Sequence, residues 1–74
     1  MINTRKVKAR MLELGLLQPD VAELIGINKA TFNAKIHNKR RVYLDEILKL
    51  GEILKVKTIE ESKELFGVSI IFPQ

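Results

Sequence analysis

Seventy-four residues bound the chain to one small domain, and 46% hydrophobic residues with a pI near 9.6 fit a basic globular domain rather than a disordered one. The absence of cysteine excludes disulfide staples, thiolate metal sites and cysteine catalysis, and is compatible with a reducing cytoplasm. Charge is uneven: residues 1–41 carry nine Lys/Arg against three Asp/Glu, and residues 42–74 carry four against six, a polarity that a polyanionic partner or ordinary variation of surface charge would each produce.

Met1 and Ile2 read as a loose arm. Asn3 or Thr4 can cap a first helix running to about residue 14, with Val7, Met11 and Leu14 inward and Gly15 as its left-handed end. Arg5, Lys6, Lys8 and Arg10 crowd its first turns, where cations oppose the helix dipole. Phosphate contact and a solvated basic face are both open readings of that crowding.

A second helix over 18–25 carries Val21, Leu24 and Ile25 on one face, with Ala22 beside them. Pro19 sits in its first turn, where the missing N–H costs little, and Asp20 places a negative charge where the dipole favours one. Leu16 and Val21 are spaced as a hydrophobic staple. Gly26 supplies a left-handed stop, Ile27 plugs the corner, and Asn28 caps a third helix over about 29–37. That helix turns Phe32 and Ile36 inward and shows Asn28, Lys29, Ala30, Asn33, Ala34 and His37 on its other side. An apolar helix, a Gly turn and a helix with amide and small side chains outside form the helix-turn-helix pattern. The chemistry suits duplex DNA, because amides pair bidentately with adenine, Lys reaches guanine, and Ala touches a thymine methyl.

Asn38 tolerates a left-handed C-cap, and Lys39, Arg40 and Arg41 follow as a basic loop that is either phosphate-binding or simply solvated. A fourth helix spans about 43–54, with Leu44, Ile47, Leu48, Leu50 and Leu54 as its apolar set and Gly51 as a propensity cost. Thr58 and Glu61 make a capping box for a fifth helix over about 59–66, ended by Gly67. The last segment, VSIIF (68–72), is β-rich and apolar and is stopped by Pro73. Either Val68, Ile70, Ile71 and Phe72 pair with the same strand of a second subunit, or the segment is an extended tail over the helical core.

Gln18, Val21-Ala22, Gly26, Ile27, Asn28 and Phe32 resemble the lambda-repressor-like helix-turn-helix domains, which include the Cro and repressor proteins of phages and many small bacterial regulators. KVKARMLELGLLQ (6–18) resembles the first helix of that family and its exit, and the likeness covers roughly residues 4–66. It implies an all-α fold: a compact five-helix lambda-repressor-like domain spanning 1–74, with the helix-turn-helix at about 18–37 and a short extended C-terminal tail at 68–74. It implies that Gln18 bonds a DNA phosphate and orients the reading helix, that bases are read mainly through Lys29, Ala30 and Ala34, and that the loop of Lys39, Arg40 and Arg41 lies along the DNA backbone. Asn33, four residues after Lys29, shares that face and can take over part of the readout beside the cap Asn28. Lys29 can equally be a phosphate contact or a solvated lysine. Thr31, His37 and Arg10 complete the expected phosphate contacts. Two departures matter. Leu17 stands where the family has a Ser, Thr or Asn cap, and Asn38 stands where it usually has Gly. The family tends to have a small residue at Gly51, which implies close helix packing there.

The leading expectation is therefore a sequence-specific DNA-binding transcriptional regulator of the phage Cro or repressor type, cytoplasmic in a bacterial or phage-infected cell, binding a palindromic operator as a homodimer. The alternative is a protein-interaction module on the same fold, such as an antitoxin or an antirepressor-like adaptor. An enzyme is not expected, since there is no Ser/His/Asp set, no metal-ligand cluster and no phosphate-cradling glycine loop. His37 is the only histidine, so it reads as a helix-end cation or a surface residue rather than a ligand. No cofactor, metal, small-molecule ligand or membrane partner is expected. The aromatics Phe32, Tyr43, Phe66 and Phe72 offer no platform for stacking RNA bases.

Overall fold

The computed structural model describes residues 1–72, and local capping chemistry sets where each helix within them begins. Asn3 accepts a hydrogen bond from the Lys6 N–H at 3.1 Å and starts α1 (Thr4–Glu13). Leu17 precedes α2 (Gln18–Ile25) without a side-chain cap, so only its carbonyl serves the helix start, accepting from the Asp20 and Val21 N–H groups. Gly26, at φ 94°, closes α2 with its N–H on the Ala22 and Glu23 carbonyls, a left-handed conformation that a β-carbon would strain. Asn28 then caps α3 (Lys29–Ile36) by accepting from the Thr31 N–H at 2.8 Å. Glu46 reaches back to the Tyr43 N–H at 2.9 Å to start α4 (Leu44–Ile53). Thr58 accepts from the Glu61 N–H to start α5 (Ile59–Phe66), while the Glu61 carboxylate passes over the cap to the Lys57 N–H at 3.0 Å.

Five helices, with no strand among the described residues, make this an all-α fold. The core is assembled from one face of each: Val7 and Met11 of α1, Val21, Ala22 and Ile25 of α2, Phe32 and Ile36 of α3, Ile47 and Leu50 of α4, Leu65 and Phe66 of α5. Leu16 and Val21 join it as the staple spacing requires, and Ile27 packs against it from the turn.

Several expectations need correction. Leu24 is exposed, because at 3.6 residues per turn it lies roughly 100° round from the axis through Val21, Ala22 and Ile25. Leu48 is likewise off the buried face of α4, Leu44 stands exposed at that helix's first position, and Leu14 is only half-buried. Met1 is exposed, but Ile2 is no loose arm. Its side chain is buried, its N–H donates to Asn38 Oδ1, and its carbonyl accepts from Asn38 Nδ2, both at 2.9 Å. Asn3 N–H adds a bond to the Leu65 carbonyl at 2.8 Å.

The C-terminal segment follows the second of its two open readings, an extended tail over the helical core. It forms no strand within the described residues. It folds back over its own helices and puts Phe72 in the core at 2% exposure, edge-on to Phe66 with ring centroids 5.9 Å apart. Gly51 is small for this reason: a β-carbon there would overlap the Phe72 ring. The fully buried Ser62 hydroxyl fastens the strap, donating to the Val68 carbonyl and accepting from the Ile70 N–H. Of the residues expected at a subunit contact, Phe72 is buried and Ile70 half-buried against this chain, whereas Val68 and Ile71 face outward. The stop expected of Pro73 lies outside the described residues, as does Gln74.

Candidate nucleic-acid interface

Two buried anchors orient the third helix. Phe32 and Ile36 are each 1% exposed, so α3 is fixed about its axis and its opposite side must face outward. Asn28, Lys29, Ala30 and Asn33 are exposed, and Ala34 is half-buried. The Asn28 side-chain oxygen Oδ1 is committed to the Thr31 N–H, so the side chain can offer a base only its amide hydrogens. Asn33 Nδ2 donates to Gln18 Oε1 at 3.3 Å, which links the outward face of α3 to the first residue of α2. Thr31 and Gln18 are both half-buried.

The end of α3 is held from the side of α1 at three points. Thr4 Oγ1 donates to the Ile36 carbonyl, Asn38 clasps Ile2, and Lys8 Nζ lies 3.3 Å from His37 Nε2. His37 Nδ1 is 2.8 Å from the Asn33 carbonyl. For both histidine contacts to be hydrogen bonds, Nδ1 must carry the proton and Nε2 must accept from the lysine ammonium. Lys8 thus places its ammonium beside His37 at the end of α3.

Beyond it, Asn38 takes the left-handed conformation at φ 61°, as its position suggested, and the Lys39 N–H donates back to the Ala34 carbonyl at 2.9 Å. Lys39, Arg40 and Arg41 are all exposed in the loop that follows, and Val42 packs inward. Arg10 departs from expectation. Its guanidinium donates to the Leu54 carbonyl at 2.8 Å and pairs with Glu61, so it is engaged within the chain and braces α1 against α4 and α5.

One group escaped sequence reasoning. Lys35, on the inner side of α3 and only 8% exposed, places its ammonium 2.7 Å from both oxygens of Glu46 and 5.0 Å from the centre of the Tyr43 ring. Burial works against ionisation of Glu46, but the Lys35 ammonium and the Tyr43 N–H outweigh it and hold the carboxyl below the usual glutamate range. The available signal was a lysine lodged between Phe32 and Ile36, ahead of an acidic first turn in the next helix.

A model of the Cro/C1-type helix-turn-helix DNA-binding domain family matches residues 6–61. No curated protein and no solved structure gives a significant match. The matched span covers about three quarters of the sequence, and the chain belongs to this family of DNA-binding domains. It stops short of the C-terminal strap. Among the described residues, no helix is long and apolar enough to cross a membrane.

Proposed function

We propose that this Cro/C1-type domain is a sequence-specific transcriptional regulator that lays α3 in the major groove of duplex DNA. The observation that carries the proposal is the fixed roll of α3. Phe32 and Ile36 lock one side into the core and leave Asn28, Lys29, Ala30 and Asn33 exposed. Lys29, Asn28 and Asn33 supply hydrogen bonds to base edges, and Ala30 and Ala34 supply apolar contact. Gln18, Thr31, Lys39, Arg40 and Arg41 hold the backbone phosphates on either side of the helix, and the Lys8–His37 pair sits at its end.

One reading helix spans only a few base pairs. In our reading two copies bind a palindromic operator, with half-sites about one helical turn, roughly 34 Å, apart. The exposed Val68 and Ile71 of the strap are the apolar side chains offered to the second copy. Occupying a promoter in this way would repress by excluding polymerase, as a phage-type Cro or repressor does. Titration with duplex DNA at about physiological salt, followed through backbone amide shifts, tests the orientation. The largest changes are expected in α3 and residues 39–41; changes confined to α5 and the strap would contradict it and favour an interaction module.

A further inference from the structure

The loop of residues 37–43 carries the cations expected to meet phosphate, yet it is not a loose loop. Its start is tied down where Asn38 clasps both backbone groups of Ile2. Its far end is tied down where Val42 packs on the core and Tyr43 lies beneath the Lys35 ammonium. Between these points Lys39, Arg40 and Arg41 stand exposed. The neck is closed by one group, because Lys35 of α3 grips both carboxylate oxygens of Glu46 in α4, and that carboxylate also accepts from the Tyr43 N–H.

We propose that Lys35 and Glu46 form a positioning clasp that closes the neck of this loop and presets Lys39, Arg40 and Arg41 for DNA phosphates. The inference rests on the DNA-backbone role of those three residues given above. Lys35 itself stays off the DNA: on α3 it lies about 200° round from Asn33, and its ammonium is engaged within the chain. A buried ion pair is poor evidence of stabilisation, since apolar side chains of similar volume often serve as well. What apolar packing lacks is direction. Two charge-assisted bonds, a helix-cap bond and a cation–π contact converge on one carboxylate–ammonium pair, and together they fix the angle at which α4 leaves the loop. A loop ordered before binding does not lose that freedom on the DNA.

The test needs no known operator, because phosphate contacts act on any sequence; a random-sequence 30-base-pair duplex is the probe. Affinity and its salt dependence are measured for the wild type, Glu46→Gln, Lys35→Met and Lys35→Arg, together with amide hydrogen exchange of residues 38–42 in the free protein. Glu46→Gln makes the chain more positive, so charge alone predicts tighter binding. The clasp predicts the opposite sign: about tenfold weaker binding with an unchanged salt slope, and faster exchange in the loop. Lys35→Met should do the same, and Lys35→Arg, which keeps the positive charge and can pair both carboxylate oxygens, should restore most of the affinity.

Binding by Glu46→Gln as tight as wild type, with unchanged exchange, overturns the clasp. A fall in salt slope for Lys35→Met overturns it too, by making Lys35 a phosphate contact. Should Glu46→Gln fail to fold, Lys35→Met leaves the Glu46–Tyr43 bond in place and decides the question. Should the wild type bind no duplex, the DNA reading fails, and the exchange of residues 38–42 alone decides whether the clasp orders the loop.

Discussion

The side-chain amide of Asn33 donates to the side-chain carbonyl of Gln18 at 3.3 Å, joining the first residue of α2 to the outward face of α3. The side chain proposed to read a base and the one proposed to face a phosphate are thereby held as a unit. Asn33→Ala should lower the ratio of specific to non-specific DNA affinity by about 1–3 kcal/mol while leaving the salt slope nearly unchanged. In a double-mutant cycle, Gln18→Ala should be partly non-additive with it. Strictly additive effects would mean that the two residues act separately, and normal operator binding by Asn33→Ala would mean that the reading face is rotated.

Lys39, Arg40 and Arg41 should act in the opposite manner. Alanine at any one of them is expected to weaken binding about equally on all sequences and to reduce the salt slope by about 0.9 for each phosphate left without its cation. Titrations between low and physiological salt on operator and scrambled duplexes separate these residues from the readers in α3. An unchanged slope for all three would remove the loop from the interface.

Phe72 makes the strap part of the core. Phe72→Ala should cost about 3–5 kcal/mol, most of the stability of a domain this small, for which on the order of 5 kcal/mol is expected. Gly51→Ala should also destabilise, by forcing the ring from its seat. Thermal unfolding measures both. A midpoint unmoved by Phe72→Ala would mean that the strap adds nothing to the stability of the core.

Much of this fold could be read from the residues, and the reason is local. Asn3, Gly26, Asn28, Asn38, Thr58 and Gly67 set helix ends through capping chemistry and left-handed backbone that involve near neighbours in sequence. Of the outward face expected of α3 from Phe32 and Ile36, Asn28, Lys29, Ala30 and Asn33 are exposed, while Ala34 and His37 are half-buried. What the sequence concealed depended on distant partners. The slot at Gly51 is shaped by a ring 21 positions later in the chain, and a β-rich run gives no sign of which surface will cover it. Arg10 resembled the other cations of α1 because nothing nearby announces the Leu54 carbonyl or Glu61. Lys35 was hidden in the same way behind Glu46, eleven residues on.

Glu46 and Glu61 give the fold an acid limit. Glu61 is held low by the Lys57 N–H and then by Arg10, and Glu46 is held low because its bonds to Lys35 and Tyr43 outweigh its burial. A carboxyl whose folded pKa lies below its unfolded one stabilises fully above the unfolded value and loses that contribution as the pH falls through the folded value. Stability should therefore hold above the ordinary glutamate value of 4.5 and decline below it. Glu46→Gln combined with Glu61→Gln should lower the plateau and flatten that decline. An acid limb of undiminished steepness in the double variant would place its origin in other groups.

Ile71, at 76% exposure, is the most solvent-facing large apolar side chain of the strap. Ile71→Asp should weaken self-association in sedimentation equilibrium without moving the thermal midpoint by more than a degree or so, since a surface change of this kind stays within about 0.5 kcal/mol. Unchanged self-association would place the contact between copies elsewhere.

Selection of bound sequences from a random duplex pool at about physiological salt, followed by titration of the winner against scrambled DNA, tests the central claim most directly. Reading by α3 in two copies predicts enrichment of an inverted repeat with half-sites roughly 34 Å apart, and a clear preference over scrambled duplex. Binding that is weak, strongly dependent on salt and blind to sequence would leave only phosphate contacts and contradict the assignment of α3 as a reader.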